Sequence, residues 1–171
     1  MAFLSWIENS AFSTWMRESQ SLWAYPGILF LHTVGLAIVA GVSAMIDLRL
    51  IGFARGIPVA PLERFFPVMW TGFWLNAASG TLLLAQDATT KFTSPLFGVK
   101  MMLIALAVAD MVLIRRVVFR EANLEQSVSP LGKVLVIASL ILWFGATTAG
   151  RYMAYLGSVS GAPGLENRIG S

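Results

Sequence analysis

The chain has 171 residues, 57% of them hydrophobic and only 12% charged, with a formal net charge of +3 and a mean hydropathy of +0.73. A soluble domain carries about a quarter charged residues, so a surface this apolar asks for lipid as its solvent. The lack of cysteine excludes disulfides, thiolate metal sites and cysteine nucleophiles. No basic run interleaved with aromatics points to nucleic acid, which is not an expected partner.

Residues 1–22 read as one amphipathic helix lying in the membrane interface. Leu4, Ile7, Ala11 and Trp15 fall at helical spacing with Phe3 and Phe12 beside them, and Glu8, Asn9, Ser13 and Glu18 take the other side. Four apolar stretches follow at 25–46, 66–85, 96–114 and 134–155, each near the roughly 20 residues that a membrane-spanning helix needs. Turn residues separate them: Gly56 with Pro58 and Pro61, then Ser94-Pro95, then Ser129-Pro130. Such short links predict an all-α, up-down bundle of four transmembrane helices over 23–157. A flexible tail is expected over 158–171.

Basic residues set the expected orientation. Arg49, Arg55, Arg64, Arg115, Arg116, Arg120 and Lys133 fall in the first and third connections. Arg17, Lys91, Lys100, Arg151 and Arg168 fall on the other side. This bias predicts both termini outside the cytoplasm. No catalytic or nucleotide-binding motif is present.

Polar residues inside the spans carry the functional question, because each is costly unless partnered. One half of the bundle collects His32, Lys100, Arg151, Thr147, Thr148, Gln86 and Asp87. The other end holds Asp47 and Asp110, expected to pair with Arg49, Arg115 and Arg116. Gly72, Asn76 and Gly80 recur every fourth residue, which predicts a small-residue packing face with Asn76 bonding across helices.

His32 supports two readings. In one it is an interior histidine whose ring nitrogens are satisfied by Asn76, Thr147 or Thr148. In the other it is an axial ligand of haem b, with Met102 (or Met101 or Met153) at a similar depth and Lys100 and Arg151 neutralising the propionates, or it contacts a quinone. A single histidine would need a second protomer or a partner subunit to complete a bis-histidine site.

The strings YPGILFLHTVGLAIVAGVSAMIDLRLIG, FFPVMWTGFWLNAASGTLLL, FGVKMMLIALAVADMVLIRR and AGRYMAYLG resemble a family of small bacterial four-helix membrane proteins of unknown function. They are faintly similar in style to copper-resistance D and cytochrome b561 bundles. The resemblance covers roughly 23–157 and implies a multi-pass protein of the bacterial inner membrane. Three functions follow as expectations: an accessory or anchoring subunit of a larger membrane assembly, a haem b- or quinone-binding redox subunit using His32, and an oligomeric small-solute transporter. The expected partners are the lipid bilayer and either further copies of the chain or a larger complex.

Overall fold

The computed structural model describes residues 2–121 and 128–156. The expected tail, with Arg168, lies outside the described residues. Among those that are described, every regular element is helical. The helices are α1 (Ala2–Glu8), α2 (Ala11–Glu18), α3 (Tyr25–Ile51), α4 (Phe66–Ala85), α5 (Ala88–Thr93), α6 (Pro95–Val117) and α7 (Pro130–Leu156). Short 3-10 turns at Ala60–Phe65 and Val118–Arg120 lead into α4 and out of α6.

Three helices are long and apolar enough to cross a membrane: α3, α6 continued to Arg120, and α7 over Pro130–Met153. The fourth long helix, α4, has 20 residues. It carries no charged residue, but Thr71, Gly72, Asn76, Ser79, Gly80 and Thr81 interrupt its apolar run.

Prolines set the starts. Pro26, Pro67, Pro95 and Pro130 each stand in the first turn of a long helix, where no amide donor is needed. The stop of α3 comes later than its hydropathy suggests. The helix runs through Asp47-Leu48-Arg49 to Gly52, which takes φ +110° while the Phe53 amide reaches back to the Leu48 carbonyl at 2.9 Å. Glycine adopts that left-handed turn without a Cβ penalty.

The expected single N-terminal helix is two, broken at Asn9-Ser10. The Ser10 hydroxyl accepts the Ser13 amide at 3.3 Å and caps α2. The apolar side is free to face lipid, as expected, but the opposite side is not solvated. Ser13 and Met16 are fully buried, whereas Phe3, Trp6, Phe12 and Trp15 are exposed. The cause is tertiary, because the polar side of this arm docks on the chain ends of α4 and α5. Ser13 Oγ donates to the Ala85 carbonyl at 3.1 Å and Arg17 to the Gln86 carbonyl at 2.8 Å. Glu8 accepts both the Thr89 amide (3.0 Å) and its hydroxyl (2.5 Å). The arm therefore supplies side-chain partners for orphan backbone groups at the end of one helix and the start of the next.

Helices α3 and α4 lie antiparallel and touch backbone to backbone. A Cβ on Gly35 would come 2.6 Å from the Asn76 nitrogen, and one on Gly72 would come 2.9 Å from the Val39 nitrogen. The expected small-residue face is there, and α3 is what it meets. Helices α6 and α7 pair in the same sense, with Leu103 against Gly145 and Lys100 against Gly150. The apolar core gathers where α3 ends and α4 begins, around Ile46, Phe66, Met69, Met111, Ile114 and Val136. Phe66 and Phe119 meet edge to face there at 5.4 Å. The opposite end of the long helices is left for polar side chains.

Candidate functional site

At that opposite end α3 brings His32 against α4. The Nδ1 atom lies 3.0 Å from the Asn76 carbonyl and 3.2 Å from Ser79 Oγ. A carbonyl only accepts, so Nδ1 carries the proton and donates. Asn76 returns a bond from its side-chain amide to the His32 carbonyl at 2.7 Å. The ring edge rests on Gly80, where a Cβ would come 2.9 Å from Cε1. A neutral ring so fixed presents Nε2 as an acceptor, with Asn76 Nδ2 its nearest donor at a long 3.5 Å.

His32 forms one wall of a cavity of about 170 Å³. Lys100 from α6, Gln86 and Asp87 after α4, and Tyr25 at the start of α3 add polar groups, while Leu29, Leu83 and Phe97 are among its apolar walls. Lys91 Nζ stands 3.5 Å from Asp87 Oδ2. Even so, Asp87 Oδ2 and Gln86 Oε1 are both buried without a hydrogen-bond partner. Native proteins rarely leave such acceptors unmet.

Of the residues expected here, the structure brings together His32, Lys100, Gln86 and Asp87. Arg151 is exposed and lines no part of the cavity, which Gly150 and Met153 line in its place. Met102 is 56% exposed, so it is not placed as a partner for His32. Long apolar side chains on that face of α6 meet the surroundings rather than the bundle. Thr147 and Thr148 bond to their own helix, at the carbonyls of Trp143 and Phe144 (both 2.8 Å), and not to His32.

Haem b does not fit these residues. The cavity is well below the roughly 300–1,000 Å³ of sites that enclose a drug-sized ligand. The His32 ring is held against α4 by Asn76, Ser79 and Gly80. Among the described residues no three His, Cys, Asp or Glu side chains gather as a metal site.

The far end departs from expectation too. Among the described residues Asp47 pairs with no arginine but accepts the Ser139 hydroxyl at 2.6 Å and the Ser43 hydroxyl at 3.3 Å, and the two serines lie 3.1 Å apart. The three buried side chains fasten α3 to α7. Asp110 makes no ion pair among the described residues, and its Oδ2 is buried without a partner. Arg115, its expected partner, turns instead to Glu63 (3.4 Å) and lies over the Phe66 ring. Ser43, Ser79 and Ser139 were missed because a serine inside an apolar span reads as a small packing residue. An i, i+4 spacing of Ser43 and Asp47 was the available signal.

A second hollow of about 530 Å³ opens between α3 and α7, lined by Ala40, Ala44 and Asp47 on one side and Leu140, Ile141 and Phe144 on the other. Phe144 is 76% exposed at its lip. Buried near it, Trp143 Nε1 has no acceptor. Compared with protein-family models, with curated proteins and with solved structures, the chain matches none.

Proposed function

We propose that the chain is a four-span protein of the bacterial inner membrane, both termini outside the cytoplasm, serving as an accessory or anchoring subunit of a larger assembly. The antiparallel contacts of α3 with α4 and of α6 with α7 support the four-span reading, with α4 sheltered against α3. The observation that carries the assembly reading is the α3–α7 hollow. Ala40 and Ala44 floor it, and Ile141 and Phe144 rim it. Small residues beside bulky ones are the surface on which membrane helices pack closely. The occupant it suits is a transmembrane helix of a partner subunit.

The cysteine-free chain makes the test direct. A benzophenone attached at Ile141→Cys should crosslink in native membranes to a second polypeptide, well above the yield at Val99→Cys on α6. Equal yields at the two positions would overturn the reading.

A second reading, a quinone-binding membrane subunit, is favoured by one specific observation. The cavity beside His32 combines apolar walls with the polar side chains of His32, Lys100 and Tyr25. Titrating the purified chain with duroquinone and duroquinol tests it, and saturable binding of either supports it.

A further inference from the structure

The N-terminal arm turns its aromatic rings away from the protein. Trp6 is 70% exposed and Trp23 83%, and Phe3, Phe12 and Trp15 are exposed beside them. The rings sit in pairs, Phe3 with Trp6 and Phe12 with Trp15, each pair with centroids 6.2 Å apart. Phe92 on α5, against which α1 packs, adds another exposed ring at the same end of the bundle. A monomer in water rarely presents so large an apolar surface.

The arm cannot roll over to hide these rings. Its other side is committed to the bundle, with Ser13 bonded to the Ala85 carbonyl, Arg17 to the Gln86 carbonyl and Glu8 to Thr89. Those contacts also fix its level. It lies where α4 stops, and through Trp23 it leads into α3, a helix long and apolar enough to cross a membrane. Leu29 and Phe30, in the second turn of α3, carry the exposed apolar face onto that span. The aromatic face is thus continuous with surface that lipid covers, at the depth where a span begins. Tryptophan collects at that depth in membrane proteins, because an indole joins an apolar body to an N–H that meets headgroup oxygens.

Charge narrows the lipid chemistry. Before α3 the chain carries Glu8, Arg17 and Glu18, and Arg17 is held by the Glu8 and Gln86 carbonyls. The surplus of cations by which basic segments are drawn to anionic lipid is missing.

We propose that the aromatic face of the arm docks on the interfacial layer of the bilayer, held by apolar burial and not by anionic headgroups. This role is independent of both readings above. The rings enter the boundary between headgroups and acyl chains, while the polar side stays on α4 and α5.

The cysteine-free chain lets one NBD fluorophore be placed at Trp6→Cys or Trp15→Cys, with Arg55→Cys in the exposed α3–α4 link as the aqueous reference. Each full-length variant is reconstituted in phosphatidylcholine vesicles, with and without phosphatidylglycerol. A nitroxide high on the lipid acyl chain should quench the probes at 6 and 15 in both compositions. Iodide on both sides of the bilayer should quench the probe at 55 and lose most of its effect at the other two. Iodide quenching at 6 and 15 equal to that at 55 would place the face in water. Protection from both quenchers would assign it to a second copy of the chain, and lipid quenching that needs phosphatidylglycerol would assign it to charge. Each of these results overturns the proposal. An unlabelled comparison guards against an effect of the fluorophore. Nitroxide lipid should remove more tryptophan emission from the wild type than from the Trp6→Phe, Trp15→Phe double variant, and equal fractional losses would likewise overturn it.

Discussion

Gly80 on α4 is the seat of the His32 ring. A methyl group there would stand 2.9 Å from Cε1, and no side chain larger than hydrogen leaves the ring its place against Asn76 and Ser79. Gly80→Ala should therefore move the ring and cost about 1–3 kcal/mol, the usual range for overpacking. Gly35→Ala should cost more, because its new methyl would strike the Asn76 backbone at 2.6 Å and a helix backbone cannot turn aside. Gly41→Ala, with nothing within 4 Å, should melt like the parent in detergent. Equal melting of all three variants would show that α3 and α4 are not in this register.

The reciprocal bonds of His32 and Asn76 predict coupling between them. His32→Leu and Asn76→Ala should each destabilise, and the double variant should lose less than the sum by about 0.5–3 kcal/mol. Simple additivity in a denaturant series would mean that the two side chains act separately.

Asp47 should behave as a serine acceptor rather than an arginine partner. Ser139→Ala removes its shortest bond, 2.6 Å, and leaves a buried carboxylate with a weaker one, so a loss of about 1–3 kcal/mol is expected. In an Asp47→Leu background the same serine change should be nearly silent. A full-sized loss there would assign Ser139 to some other contact.

The N-terminal arm should loosen in acid. The hydroxyl and amide of Thr89 both donate to the Glu8 carboxylate and hold its pKa below the ordinary value of 4.5, with Arg17 adding to the effect. Because the folded value is the lower one, the stabilisation is complete above the unfolded pKa and is lost as pH falls through the folded one. The protection of the α1 and α2 amides, measured against intrinsic exchange at each pH, should fall across that acidic range, and Glu8→Gln should flatten the fall. Wild-type protection that ignores pH would count against the docking contact.

The long helices were legible because two local signals agree on them. Apolar length marks the spans, and a proline in the first turn marks each start, so the expected 66–85 stretch is the observed α4 to the residue. The small face of Gly72, Asn76 and Gly80 was legible for the same reason, since it is one helix read along itself. What escaped were features made by a second element. Periodicity places Ser13 on a solvated face, yet the Ala85 carbonyl, 72 residues away, draws it inward. Ser139 and Asp47 are 92 residues apart, and nothing local to either announces the other. Lys100, Gln86 and His32 were collected from their depths alone. Met102 and Arg151 share that depth but lie on the wrong sides of their helices, and depth carries no angle.

The close fit of α3 and α4 bears on how the chain reaches its membrane. Of the long helices, α4 has the weakest claim to enter lipid by itself, since it carries Asn76 and a run of hydroxyl and glycine residues. It is also the helix with the tightest grip on its predecessor, through Gly35, Gly72 and the two-way bonds of His32 and Asn76. A helix whose polar groups are already satisfied by its neighbour presents mainly hydrocarbon to an insertion machinery. The two segments are thus suited to partition as one hairpin, with the His32 and Asn76 bonds formed inside it.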